Sequence, residues 1–375
     1  MKLIAYYLPQ FHPTPYNDKW WGKGFTEWTN VAKATPRFKG HHQPQIPADL
    51  GFYDLRLEES RIAQAEMAKE YGIYGFCYYH YWFDGEILLD TPLNEVLKSH
   101  KPDFPFCLCW ANEKWTRAWE AHEKEVLVRQ VYSESDRIKH INWLCKVFQD
   151  ERYIKIDGKP LLLIYRIDEI PDLKERIIDW KRIAKEYGFN DLHICCVRNY
   201  DNTPVQEIIQ MGIDAIAEHQ PSEESYPKRS LSSLMKLACS RFINKMIQLF
   251  NLENKIKLLN ENILFNYDRF AEKVMNSQHP TNYTKYPCVF PSWDNSSRKR
   301  IAAIIQNDDE KKYGEWLESS FNKVKNYSES EQIVFINAWN EWAEGCHLEP
   351  DMRNGKKFLE ATKSVIEKIK HDTND

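Results

Sequence analysis

Short apolar runs recur along the chain, each followed by a longer stretch whose apolar residues return every three or four positions. Eight such runs stand out: Leu3 to Leu8, Ile73 to Tyr79, Phe106 to Trp110, Leu161 to Tyr165, Leu192 to Val197, Ile213 to Ala217, Cys288 to Trp293 and Ile333 to Trp339. Runs this short, with little polar interruption, suit strands covered on both faces. The intervening segments Leu57 to Tyr71, Ser135 to Phe148, Leu173 to Tyr187, Val205 to Met211, Glu310 to Val324 and Lys356 to Ile369 carry helical periodicity. In Tyr71-Gly72-Ile73, Tyr187-Gly188-Phe189 and Met211-Gly212-Ile213 a glycine stands where a left-handed cap would end the helix. Alternation of this kind predicts a parallel sheet, and eight repeats in succession predict an α/β fold of the (β/α)8 TIM-barrel type over residues 1–375. An open doubly wound sheet would call for a glycine-rich phosphate turn after its first strand. The chain has Leu8-Pro9-Gln10-Phe11-His12-Pro13 there instead, which cannot cradle a pyrophosphate.

Two segments exceed what barrel connections need. Phe11 to Asp54, rich in Pro and Trp, is expected to be a long β1-α1 loop folded over the barrel mouth. About 221–286, between the sixth and seventh strands, Leu231, Leu234, Leu237, Phe242, Met246, Leu249 and Phe250 recur at helical spacing among Lys228, Arg229, Lys236, Arg241 and Lys245. A helical insertion is expected, serving as a lid or as a contact for a partner or a membrane surface.

Composition narrows the function. A net charge of −4 lacks the basic footprint of a nucleic-acid binder, so no nucleic-acid partner is expected. Aromatic residues make up 14% of the chain, with 13 Trp and 20 Tyr, enough to line a cleft as well as a core. The nine cysteines include Cys107, Cys109, Cys195 and Cys196 inside apolar runs and form no CxxC pair, which favours reduced core thiols over a zinc or redox site. The opening Met1-Lys2-Leu3-Ile4-Ala5-Tyr6-Tyr7 does not read as a secretion signal, and no run is long enough to span a bilayer. A cytoplasmic location, at the inner face of the membrane if the basic insertion touches lipid, is the expectation.

In a (β/α)8 barrel the active site lies at the C-terminal ends of the strands. Those ends carry Tyr6 and Tyr7, Tyr79 and His80, Trp110 with Asn112 and Glu113, Tyr165, His219, Trp293 and Asp294, and finally Trp339, Asn340, Glu341 and Glu344. Glu27 and Trp28, in the loop expected over the mouth, join the candidate substrate contacts. Rings, amides and carboxylates without a phosphate cradle suit a neutral polyhydroxylated ligand such as an oligosaccharide or polysaccharide. Histidines invite a metal reading, but no HxH stands on the first strand and adjacent His41-His42 would point apart, so neither a metal nor another cofactor is expected.

The sharpest constellation is Trp339-Asn340-Glu341-Trp342-Ala343-Glu344-Gly345. In a helical turn its two glutamates, three residues apart, stand side by side. Glycoside cleavage needs such a pair in different protonation states, one group donating to the leaving oxygen and the other acting as base or nucleophile. Glu349 lies nearby, but Pro350 suggests that the chain is already leaving the site. Asn112 and Glu113 are assigned to substrate hydroxyls.

Together with Tyr6-Tyr7-Leu8-Pro9-Gln10-Phe11-His12, Gly24-Phe25-Thr26-Glu27-Trp28, Gly75-Phe76-Cys77-Tyr78-Tyr79-His80-Tyr81-Trp82 and Trp293-Asp294-Asn295, this motif resembles the WbsX family, which is related to glycoside hydrolase family 99. The resemblance covers nearly the whole chain apart from the insertion. It implies retaining, endo-acting cleavage of α-mannoside-like linkages through a 1,2-anhydro sugar, with Glu341 as the base that deprotonates the sugar's 2-hydroxyl and Glu344 as the general acid. It also implies a bacterial surface polysaccharide (O-antigen or capsule), or its lipid-linked precursor, as substrate for hydrolysis or transglycosylation. Family 99 has His at the position of Ala343, and its members are typically secreted. A sugar-nucleotide-dependent glycosyltransferase and a non-catalytic glycan-binding protein are the alternatives, and the oligomeric state stays open.

Overall fold

The computed structural model describes residues 1–117, 122–198, 203–229, 231–250 and 259–372. Its central sheet is a parallel ring. The strands are β1 (Lys2–Tyr7), β2 (Gly75–Phe83), β3 (Phe106–Trp110), β4 (Lys159–Ile164), β5 (His193–Arg198), β6 (Ala215–Glu218), β7 in two pieces (Thr284–Tyr286 and Cys288–Val289) and β8 (Ile333–Ile336). Each pairs with its chain neighbour, and Lys2↔Ile333 joins the first to the last. Closure depends on the break in β7: Thr284–Tyr286 pairs with β6 and Cys288–Val289 with β8. Pro287, which has no N–H to donate, sits at the break and accepts from Phe335 N at 2.8 Å. The fold is therefore the expected (β/α)8 TIM barrel.

Around the ring run α3 (Glu58–Glu70), α4 (Thr91–Ser99), α5 (Glu134–Phe148), α6 (Leu173–Glu186), α7 (Val205–Gln210), α10 (Glu310–Val324) and α11 (Lys357–Asp372). Six of these match the periodic segments to within two or three residues, whereas α4 went unread because it is short and opens on Thr91-Pro92. Ser133 and Asp309 cap α5 and α10 by accepting from Asp136 N and Lys312 N. Gly72, Gly188 and Gly212 all carry positive φ, as the caps required.

Both additions are more structured than the pattern indicated. The expected long loop, between β1 and α3, contains α1 (Pro15–Trp21) and α2 (Glu27–Lys33). In the insertion, α8 (Leu231–Leu249) is followed by the strand Ile263–Asn266 and by α9 (Tyr267–Met275). The strand pairs with Ala303–Gln306, tying this part of the insertion to the barrel body. The last three residues of the expected insertion are the first piece of β7. Trp293–Asp294, read as the end of the seventh strand, belongs instead to the small sheet with Ala303–Gln306.

Gly75 opens β2 where a Cβ would meet Pro105 O at 2.6 Å, while Gly314 on α10 has ordinary space around it, with Val365 Cγ2 at 3.7 Å. Gly75→Ala should therefore lower the melting temperature. Gly314→Ala should raise stability by about 0.5–1 kcal/mol through helix propensity, both read by thermal unfolding.

Candidate active site

Successive residues of a strand point to opposite faces, so at each strand end only alternate side chains can look into the barrel. Tyr6, Tyr79 and Tyr81 take the inner face. Tyr6 stacks under Tyr79 with ring centroids 5.6 Å apart, and Tyr79 Oη lies 3.0 Å from His219 Nε2. Tyr165 meets His219 edge-on at 5.4 Å. Burial pushes His219 down to about 4, so at neutral pH its ring is an uncharged hydrogen-bonding wall.

The intervening residues face the helices, which corrects four expected substrate contacts. Tyr7 donates its hydroxyl to Gln64 Oε1 at 2.7 Å on α3. His80 stacks on Trp143 at 4.6 Å and, with its pKa lowered to about 3 by burial, is a neutral core residue beside His140. Trp110 packs against Trp180 and His140, and Trp339 packs on Phe76. None of these four exposes more than 2% of its surface. Asn112 and Asn340 are corrected for a different reason: their amides serve the backbone. Asn112 Nδ2 donates to Arg166 O at 2.7 Å while its Oδ1 accepts from Arg166 N. Asn340 Oδ1 accepts from Leu8 N at 2.7 Å while its Nδ2 donates to Leu8 O. Each holds two loops together at the mouth.

The eighth-strand motif folds back on itself. Asn340–Glu341 pairs with Cys346–His347, and Trp342–Glu344 forms a 3₁₀ turn between them. Residues three apart eclipse in such a turn, so the Glu341 and Glu344 carboxylates emerge on one side. Gly345 ends the turn at φ +57, where a Cβ would meet Asp294 N at 2.9 Å. Both carboxylates reach one guanidinium: Arg298 Nη2 to Glu341 at 3.2 Å and Nη1 to Glu344 at 2.9 Å. Its Nε donates to Glu27 Oε1 at 2.8 Å, so α2, the loop after β7 and the loop after β8 meet on a single side chain. Burial raises the Glu341 carboxyl to about 8 although Arg298 opposes the rise.

Glu341, Glu344 and Arg298 open into a cavity of about 260 Å³ together with Tyr79, Tyr81, Glu113, Trp115, Tyr165 and His219. Glu113 meets Arg166 Nη1 at 2.9 Å. Of the expected substrate contacts, then, Tyr79, Glu113, Tyr165 and His219 line the mouth. Tyr6 supports it from below, and Glu27 is completely buried behind Arg298. Trp28 is packed among Phe11, Tyr53 and Trp342 with its Nε1 donating to Tyr53 O, a strut of the long loop. Trp293 and Asp294 line a separate cavity of about 460 Å³. There Asp294 Oδ2 meets His41 Nε2 at 2.7 Å and accepts from Gln43 Nε2 at 2.8 Å. Despite its burial these bonds, with one from Ser296 N, hold Asp294 below the ordinary carboxylate range. Glu349 turns into the core, where its carboxylate accepts from Tyr53 Oη, Gln64 Nε2 and Trp342 Nε1.

The residues that sequence reasoning missed are Arg298 and Trp115, whereas Tyr81 was read at the end of the second strand and does line the cavity. Trp115 comes from the hairpin Trp115–Arg117/His122–Val128, which no apolar run announced. Arg298 follows Trp293-Asp294-Asn295 closely, but its three glutamate partners lie far from it in the chain, so no local pattern marks it.

The fold and the site together define a closed (β/α)8 barrel with paired carboxylates in an aromatic cleft. More narrowly, the chain belongs to the family described as "Glycosyltransferase WbsX", whose model matches residues 3–362. The protein WxcX of Xanthomonas campestris pv. campestris, described as uncharacterized, is 37% identical over 97% of this chain, which spans about half (49%) of that relative's length. Among solved structures, an endo-α-mannosidase of glycoside hydrolase family 99 from Bacteroides thetaiotaomicron, in complex with bis-tris-propane, superposes with a TM-score of 0.60. It has 12% identity over 100% of this chain and 98% of its own. A glycoside hydrolase-like protein gives a TM-score of 0.59 at 12% identity over 97% and 93%. At such identity the likeness is one of fold.

Arg298 supplies the positive charge that lets Glu27, Glu341 and Glu344 share one place. Arg298→Gln should lower stability by roughly 3–5 kcal/mol, the usual cost of leaving buried charges unpaired, as measured by denaturant unfolding.

Proposed function

We propose that the chain is a retaining, endo-acting glycosidase or transglycosylase for α-mannoside-like linkages of a bacterial surface polysaccharide or its lipid-linked precursor, working at the cytoplasmic side of the membrane. The observation that carries this reading is the pair Glu341 and Glu344, side by side on one guanidinium at the barrel mouth. Glu341 takes the proton from the 2-hydroxyl of the sugar as O2 attacks C1. The bond from C1 to the glycosidic oxygen breaks, and Glu344 protonates that leaving oxygen. In the second half Glu344 removes a proton from water or from an acceptor hydroxyl, which attacks C1. The C1–O2 bond of the 1,2-anhydro sugar opens, and O2 recovers its proton from Glu341.

A hydroxyl is a poor acid, so a carboxylate of raised pKa is the better base for it. The buried position of Glu341, with a pKa raised to about 8, supports that role. Tyr79, Tyr165 and Trp115 offer faces for sugar rings, and Glu113, His219 and Arg298 offer partners for hydroxyls. Because the family is described as glycosyltransferase, transfer to a sugar acceptor is the second reading; calorimetry with GDP- and UDP-sugars separates it from hydrolysis by the presence of a nucleotide-donor site.

Glu341→Gln and Glu344→Gln should each lower turnover of defined α-mannosides or of cognate oligosaccharides by at least about 10²-fold, with circular dichroism unchanged. Mass spectrometry of the products reads the result, and turnover surviving both changes would sink the reading. If Glu341 must be ionised to act, kcat/KM rises with pH through about 8. A profile that instead falls across that range would make Glu341 the acid.

A further inference from the structure

We infer that α8 is an in-plane membrane anchor that seats the barrel on an anionic phospholipid surface. The inner side of the helix is held by the chain that follows it: Asn244, 3% exposed, donates to Leu259 O and Glu261 Oε1 and accepts from Leu259 N, with Ile247 buried beside it. The outer side is apolar and bare. Leu231, Met235, Phe242 and Leu249, spaced by four, seven and seven residues, fall on one stripe, and they are 74%, 61%, 67% and 70% exposed. Leu234, Ile243 and Phe250 widen it. A soluble protein rarely leaves such a contiguous apolar stripe to water without a use for it.

Charge identifies what covers this stripe. Between Leu231 and Leu249 there is no Asp or Glu, whereas Lys236, Arg241 and Lys245 are all exposed, and Lys228 and Arg229 precede the helix. Arg241 and Lys245 run along one border of the stripe, within reach of headgroups while the apolar side chains enter the acyl boundary. A protein groove would match the apolar stripe but gives no reason for the uniform sign of its borders; an anionic bilayer matches both. Among the described residues no helix is long and apolar enough to cross a membrane, so α8 lies on the surface rather than through it. The insertion leaves the barrel directly after His219, at the mouth, so the anchor hangs from the end of the barrel that holds the cavity. This docking is independent of the carboxylate chemistry and is read by binding rather than by turnover.

The test is co-sedimentation of the full chain with vesicles of phosphatidylglycerol and phosphatidylcholine, compared with pure phosphatidylcholine, at low and high salt. Wild type should sediment with the anionic vesicles at low salt and be released by high salt. The variant Lys236→Glu/Arg241→Glu/Lys245→Glu should lose at least about 100-fold in partitioning, since each cation near an anionic surface contributes roughly fivefold. Phe242→Ser/Leu249→Ser should lose binding with an unchanged melting temperature, because both side chains face solvent. Equal binding to pure phosphatidylcholine, or retention by both variants, overturns the inference. So does light scattering that shows a dimer dissociated by Phe242→Ser/Leu249→Ser, which would make a second copy the occupant of the stripe.

Discussion

Arg298 is the constraint on which the mouth of this barrel depends. A planar guanidinium presents donors in fixed directions, and here Nε, Nη1 and Nη2 each serve a different glutamate. Three carboxyl groups gathered in a mostly buried space would otherwise lose their hydration and repel one another as they ionise. The arginine makes that gathering favourable, and in doing so it joins the start of α2, the loop after β7 and the turn after β8. Lysine carries the same charge, but its three donors sit on a single nitrogen and lack the planar fork that spreads over these three carboxyl groups. The placement of Glu341 and Glu344 thus follows from a residue about 45 positions upstream of them, and the long loop between β1 and α3 is tied down by the same contact.

Beneath this clamp a second set of interactions keeps the motif in register. Asn340 reads both backbone groups of Leu8, and Glu349 gathers Tyr53, Gln64 and Trp342. Burial raises the Glu349 carboxyl to about 7, although the donors around it oppose the rise. Three glutamates within nine residues therefore part company: Glu341 and Glu344 look into the cavity, and Glu349 is sealed in the core as a bracket. Trp342 stacks on His347 with ring centroids 3.6 Å apart, which locks the turn that separates the two roles. The barrel supplies rigid strand ends; these brackets decide which side chains reach past them.

The barrel itself was legible in the chain because hydrophobic period and turn chemistry are local properties. Strands covered on both faces read as unbroken apolar runs, and helices with one buried face read at three- and four-residue spacing, so seven of the eight strands and six of the helices could be placed without coordinates. The carboxylate pair was legible too, since two glutamates in a short aromatic motif stay close in almost any turn. The broken seventh strand was not, because its two halves are justified only by different partners across Pro287.

Which residues of a strand end face the cavity was decided by tertiary structure alone. Tyr6 and Tyr7, or Tyr79 and His80, are equally apolar or polar in sequence, and both faces of a barrel strand are buried, so composition holds no record of which face is inner. The register of the closed sheet settles it and sends Tyr7, His80, Trp110 and Trp339 to the helix layer. Arg298 belongs to the same class: a charge at a distance in sequence acquires three partners only when loops from opposite ends of the chain converge. Sequence determined the elements and the chemistry available to them; closure of the ring decided which of that chemistry meets.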